Sequence, residues 1–407
     1  MNIIIIANFP CELDGSKSKG RFLYLSELLC ESGHQVEMIV SDFDHSKKKH
    51  RSAGSINFNA YKTKITALHE PGYPNNISFK RLWSHYIWGR NVGYYLYKQK
   101  CPDVVYCAVP SLTAGIKSAK YCESQGIPFV VDVQDLWPEA FQMAIKNRLL
   151  QKVLVPISWY VNQVYKSADR VIAVSNTYIK RVLSVNKKTK FGLCVFLGND
   201  GKLFDESINF NKVDKDNNLK LAYIGTLGYS YDIPCIIKAL NIYQTNNSSP
   251  RIKFIVMGDG SLKSSFEIKA KELGIDCEFT GYLSYPDMVS RLSSCDIVVN
   301  PIVAGSAASI INKVGDYALS GLPVINTQEC PEYRNLINEY CCGINCNVGD
   351  DEDVARALET LANDESLRKE MGINARRLGE EKFDRRNSYK KIVELIESLQ
   401  GKYRRYV

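Results

Sequence analysis

Lys313 and Asp316 stand three residues apart in the run Ser309-Ile-Ile-Asn-Lys-Val-Gly-Asp-Tyr-Ala-Leu-Ser-Gly321, which reads as a short helix closed by glycine. At that spacing both side chains leave the same side of the helix. Ser309 falls at the expected N-terminus, where free backbone N–H groups and the positive end of the dipole suit a phosphate. One short element thus offers an anion site, a cation, and a carboxylate that can accept hydrogen bonds from sugar hydroxyls. Those are the needs of a nucleoside diphosphate sugar. A second stretch, Tyr223-Ile-Gly-Thr-Leu-Gly228, puts Gly225 directly after an apolar strand, where backbone N–H groups can face a diphosphate. A third runs from Asn8 to Gly20 after the first apolar run and opens a helix. In it Gly15 and Gly20 would let backbone come close to a ligand.

Other chemistries find little support. The Asn8–Gly20 stretch is neither Gly-x-Gly-x-x-Gly nor a phosphate loop with its lysine. Asp42-x-Asp44 and Asp351-x-Asp353 have the form used by metal-dependent sugar transferases. The first sits in a polar loop, and the second reads as the cap and first turn of a helix, so no metal ligand is assigned. The 13 cysteines are scattered without a Cys-x-x-Cys pair, as expected of reduced core thiols. With only five histidines and no His-Glu-x-x-His or Ser-His-Asp order, metalloprotease and hydrolase readings fall away.

These stretches need a scaffold of alternating strands and helices. A chain of 407 residues suggests two domains, and 45% hydrophobic with 24% charged residues is a globular composition. Apolar runs at 2–7, 35–40, 56–63, 104–108, 129–133, 171–174 and 193–196 read as strands, with helices such as 21–32 and 112–125 between them. The second half repeats the plan with strands at 219–224, 252–257, 277–280, 297–300 and 324–326. Near-continuous apolar strands separated by helices predict buried parallel sheets, with ligands beyond the C-terminal strand ends. Residues 199–218 are polar and aperiodic, the expected linker. Domains are therefore expected at 1–198 and 219–383. The run Ile3 to Ala7 is too short for a signal peptide or a membrane span, which places the expected site of action in the cytoplasm.

Several of these stretches together resemble the family-4 retaining glycosyltransferases of the GT-B fold, over nearly the whole chain. The 309–325 segment matches their donor signature, with Ile311 in place of a Pro and Asp316 in place of a Glu. Ala308 stands where the wider family has an earlier Glu. Val131-Asp-Val-Gln-Asp-Leu-Trp-Pro-Glu139 resembles the Arg-Asp-Leu-Trp-Pro-Glu motif of the polysaccharide-making branch, with Gln134 for Arg. That likeness makes Asp135 a catalytic candidate, and Trp137 and Glu139 acceptor-binding candidates. Gly258, in Met257-Gly-Asp-Gly260, matches a family turn beside the donor, and Tyr282 falls in the loop beside the nucleotide base. Thr226 and Tyr231 take the places of an Arg and a Lys that hold phosphate in many relatives. The resemblance implies two doubly wound, Rossmann-like α/β domains facing across a cleft, with helix 384–407 packing back on the first.

The implied activity is retaining transfer of a hexosyl or N-acetylhexosaminyl group. The donor is a nucleoside diphosphate sugar and the acceptor a saccharide, expected to be lipid-linked, in surface polysaccharide biosynthesis. No cofactor and no obligatory metal are expected. A nucleotide-sugar 2-epimerase of the same fold and a non-enzymatic two-lobed saccharide-binding protein are the alternatives. Charge adds a partner. Net charge is +12 over residues 1–198 and −4 over 199–407, so the first half expects an anionic surface. Between Pro71 and Pro102 there is no acidic residue, and Lys80, Arg81 and Arg90 interleave with Phe79, Trp83 and Tyr86. Aromatic rings with basic flanks suit the headgroup layer of an anionic membrane at its cytoplasmic face. No nucleic-acid-binding motif is present.

Overall fold

The computed structural model describes all residues except 10–12, 14, 16, 53–55, 57, 77, 110, 138, 140–154, 210–217, 247–249, 307–308 and 402–407. The chain divides into two compact units: Met1–Val195 with the segment from Tyr389 onward, and Phe196–Ser388.

The first unit is built on β1 (Asn2–Ile6), β2 (Gln35–Ser41), β3 (Lys64–Leu68), β4 (Val104–Val109), β5 (Phe129–Val133), β6 (Arg170–Ala173) and β7 (Gly192–Cys194). All pair in parallel in the order β3-β2-β1-β4-β5-β6-β7, the doubly wound arrangement. Four successive isoleucines make β1 a strand covered on both faces, with Ile3 to Ile6 all buried. The third strand lies at Lys64–Leu68, not at 56–63 as the apolar run suggested; Phe58–Ala60 is a 3₁₀ turn. The side-chain pairing explains the choice. Lys64 pairs with Glu37 at 3.0 Å, and Thr66 donates to the same carboxylate at 2.6 Å, a register the earlier run cannot supply.

The second unit repeats the order. Its strands are β8 (Leu219–Ile224), β9 (Ile252–Met257), β10 (Cys277–Gly281), β11 (Ile297–Asn300), β12 (Val324–Asn326) and β13 (Gly343–Asn345). They pair in parallel as β10-β9-β8-β11-β12-β13. The edge strand β13 carries no apolar run long enough to be read from sequence. Gly343 opens it because a Cβ there would lie 2.2 Å from the Val324 carbonyl.

Two boundaries differ from expectation. Within the stretch expected as linker, Gly201–Ser207 is a helix capped by the Asp200 carboxylate on the N–H groups of Lys202 and Leu203, and residues 210–217 lie outside the described ones. The second unit begins at Phe196. At the other end, Tyr389, Ile392, Val393, Ile396 and Leu399 lie in the core of the first unit. Residues 384–388 stay with the second, where Asp384 is buried against Arg386 and the Gly201 N–H.

Candidate active site

A cavity of about 410 Å³ opens in the second unit beyond the C-terminal ends of β8, β9 and β10. Its wall takes Gly225 and Thr226 after β8, Gly258 after β9, Tyr282 after β10, and Lys313 and Asp316 from a helix at Lys313–Leu319. Six of the sequence-derived candidates are thus brought together. The ligand rule for doubly wound sheets locates this rim, but not which side chains meet there.

Among the donor candidates of the second unit Ser309 is the exception, and the donor candidates Gly15 and Gly20 belong to the first unit. The helix starts four residues later, with Asn312 before it, and Asn312 joins the wall instead. The Ser309 carbonyl accepts a hydrogen bond from the Gln328 side chain at 2.8 Å. That hydrogen bond ties the chain before the helix to the loop at Gln328. The turn leading in is of the tighter i→i+3 kind, with Val314 N–H on Ile311 O and Gly315 N–H on Asn312 O. Ala308, at the place of the family's first Glu, lies outside the described residues.

Asp316 is buried, and its Oδ1 accepts from Asn199 Nδ2 at 2.6 Å and from Tyr285 Oη at 2.9 Å. Burial raises its pKa to about 7, against those two hydrogen bonds and the charge of Arg385. Neither Asn199 nor Tyr285 was visible as a site residue, since nothing in the sequence joins positions 199, 285 and 316. The Lys313 ammonium is fully covered and has no hydrogen-bond partner among the described residues. It lies 4.0 Å from the centroid of the Tyr223 ring and 3.9 Å from that of Tyr231. Burial holds its pKa well below the usual lysine value. Tyr231, which stands where relatives carry a phosphate lysine, here packs on Lys313, the one lysine of the wall among the described residues.

The two cavity glycines are structural necessities. Gly258 approaches the neighbouring loop so closely that a Cβ would lie 1.8 Å from the Gly225 carbonyl. Thr226 is exposed, and its carbonyl accepts from the Tyr223 hydroxyl at 2.7 Å. Tyr282 is 85% exposed at the rim.

The remaining candidates belong to the first unit. Gly15 has φ +87°, which favours glycine, but its N–H is taken by the Tyr61 hydroxyl at 2.8 Å. Gly20 immediately precedes the helix Arg21–Glu31 and accepts the Tyr24 N–H. Asp135 is exposed, and desolvation by nearby atoms raises its carboxyl pKa against the pull of Arg81. Trp137 is only 5% exposed, stacked at 12° on His85 with the Arg81 guanidinium 5.1 Å from its ring. An open face for a sugar, as the motif suggested, is therefore not presented. Glu139 is held by Arg181, which also bonds Asn162. Its Oε2 has no hydrogen-bond partner among the described residues. Asn8, at the end of β1, was not singled out from sequence. It is buried with both side-chain polar atoms unpartnered among the described residues, as is the Ser111 hydroxyl.

For metal, one group among the described residues brings three possible ligand atoms within 4.8 Å: Asp42, His50 and His69. Asp42 sits 2.9 Å from His69 Nδ1 and 3.5 Å from His50 Nδ1. The group is in the first unit and has no part in the cavity wall.

Two doubly wound units of this strand order, the second with a cavity at its strand ends, define the GT-B class. Two family models match: Glycosyltransferase Family 4 over residues 21–189, and Glycosyl transferases group 1 over residues 205–378. The chain belongs to the family-4 glycosyltransferases. It is 26% identical over 177 residues to the GalNAc-alpha-(1->4)-GalNAc-alpha-(1->3)-diNAcBac-PP-undecaprenol alpha-1,4-N-acetyl-D-galactosaminyltransferase of Campylobacter jejuni, covering 42% of this chain and 46% of that one. It is 24% identical over 176 residues to the chitobiosyldiphosphodolichol beta-mannosyltransferase of Candida albicans, covering 42% and 38%. The match thus spans less than half the length of these relatives. Among solved structures, HepE of Anabaena in complex with UDP superposes with a TM-score of 0.69 at 16% identity, covering 98% of this chain and 100% of that one. WaaG, a glycosyltransferase involved in lipopolysaccharide biosynthesis, gives 0.60 at 15% identity, covering 97% and 99%. These likenesses establish the fold.

Proposed function

We propose that this protein transfers a hexosyl or N-acetylhexosaminyl group from a nucleoside diphosphate sugar to a lipid-linked saccharide, with retained anomeric configuration and no obligatory metal, in surface polysaccharide assembly. The observation that carries the reading is the meeting of Lys313 and Asp316 on one cavity wall, beyond the strand ends of a GT-B donor-type unit. As the glycosidic bond breaks, negative charge grows on the departing diphosphate. A lysine held at that wall is at hand to stabilise that charge, which is where such sites gain most. Asp316 keeps Oδ1 occupied by Asn199 and Tyr285, so the carboxyl is oriented, and Oδ2 makes no hydrogen bond to a described residue. Oδ2 is the acceptor offered to a ribose hydroxyl. The names of the Campylobacter and Candida relatives carry undecaprenol and diphosphodolichol, which supports a lipid-linked acceptor here.

A lipid acceptor must be met at a membrane surface. Among the described residues no helix is long and apolar enough to cross a membrane. The helix Phe79–Lys98 instead leaves Phe79, Leu82, Trp83 and Tyr86 exposed, Phe79 to 86% and Trp83 to 59%, while its other face buries Trp88, Val92 and Leu96. We assign that exposed face to anionic headgroups.

The reading is tested by incubating the protein with nucleotide sugars and polyprenyl diphosphate saccharides, with and without chelator, and reading the anomer of the product. Transfer with retention in excess chelator is expected. Inversion, a strict metal requirement, or epimerised donor without acceptor would each overturn the corresponding part.

A further inference from the structure

The Lys313 ammonium points into a covered space between two tyrosine rings, where it has no oxygen acceptor among the described residues. The rings stand 5.8 Å apart at 67°, so both present π density to one cation. Each is tied down separately. The Tyr223 hydroxyl donates to the Thr226 carbonyl at 2.7 Å, and the Tyr231 N–H donates to the Gly228 carbonyl at 3.1 Å while an isolated bridge pairs Tyr231 with Ile302. Gly225 completes the enclosure, because a Cβ there would lie 2.8 Å from the lysine nitrogen. A buried, unpaired cation is costly, so a site that keeps one must either compensate it or be built to receive an anion.

We propose that Tyr223 and Tyr231 are positioning residues whose ring faces seat the Lys313 ammonium at the cavity wall, from which an incoming phosphate anion draws it. Tyr231 adds no charge of its own to the site. Its ring holds Lys313 where the anion arrives. The proposal rests on the nucleoside diphosphate reading of the cavity, and it names residues which that reading does not require.

The probe is inorganic pyrophosphate, with lysine Cε resonances read by NMR on selectively ¹³C-labelled protein. The Lys313 signal is assigned by its loss in Lys313→Arg. In the wild-type protein it is expected upfield of the other lysines, from the ring currents of the two tyrosines, and to move downfield on saturation with pyrophosphate. Tyr231→Leu should reduce the upfield displacement and weaken pyrophosphate binding about tenfold, while Tyr231→Phe, which keeps the ring, stays within about twofold of wild type. An unshifted Lys313 signal in the wild-type protein overturns the seat, even if a variant fails to fold. So does equal or tighter pyrophosphate binding by folded Tyr231→Leu. A seat that behaves as described in a protein lacking transfer activity would sink the proposed function alone; normal transfer with an unshifted Lys313 would sink the seat alone.

Discussion

Asp316 shows how a single burial sets both chemistry and stability. Its pKa of about 7 against an ordinary 3.8 means that the folded protein holds a proton between those pH values which the unfolded chain has already lost. The stability contributed by this carboxyl therefore falls as pH rises from about 4 to about 7 and levels off above, by at most about 4 kcal/mol at 1.36 kcal/mol per unit. Asp316→Asn, which can still accept from Asn199 and Tyr285, should flatten that slope in denaturant melts and be the more stable protein at pH 8. An unchanged slope would mean that the carboxyl is not the buried acid described. For transfer, Lys313→Ala and Asp316→Ala should each lower the rate about 10²–10³-fold in folded protein, the usual loss for one preorganised contact. Near-normal turnover would remove this wall from the site. Lys313 and Asp316 were readable because their spacing and charge are local to one helix. Asn199, Tyr285, Tyr223 and Tyr231 were not readable as partners, because only the folded sheet brings them to that helix.

At the scale of elements, sequence signals held wherever a strand is buried on both faces. The Ile-rich β1, and β8 at Leu219–Ile224, announce themselves by apolar runs. They failed at two of the four edges. Strand β3 was displaced because pairing through Glu37, Lys64 and Thr66 outweighs hydrophobicity, and β13 is three residues long with a glycine start. The site helix was placed but begun too early: it starts at Lys313, after a turn closed by i→i+3 hydrogen bonds. The helix at Phe79–Lys98 splits its aromatics: Trp88 is core, and Trp83 is not. Arg81 belongs with the inner set, near the rings of Phe9, Tyr73 and Trp137, so it is a poor probe of the surface. Trp83→Ala with Lys80→Glu should therefore weaken cosedimentation with anionic liposomes at low salt, roughly 1 kcal/mol of it from the lysine. Equal binding to neutral vesicles, or none to either, would leave that face without a lipid role.

At the scale of the whole molecule, the family and the two-domain plan were legible from motif order alone, while the cut between units was not. A polar stretch looks like a linker, yet Asp200 caps a helix inside it and moves the boundary to Phe196. The chain returns to the first unit at Tyr389, whose hydroxyl takes a hydrogen bond from Arg21 at 3.2 Å within a buried cluster that includes Asp132 and Tyr106. Nothing local in the C-terminal sequence specifies that partner. The central claim is that the cavity of the second unit holds a nucleoside diphosphate sugar. Hydrogen exchange across a panel of nucleotide sugars, paired with melting curves, tests it most directly. A ligand that binds only the folded state at 100 times its Kd adds about 2.7 kcal/mol. The account predicts that one class of nucleotide sugar raises the melting temperature and slows exchange at residues 224–226, 257–259 and 312–316, and that Lys313→Ala loses both effects. No stabilisation by any member of the panel, or protection lying elsewhere and unchanged in Lys313→Ala, would contradict it.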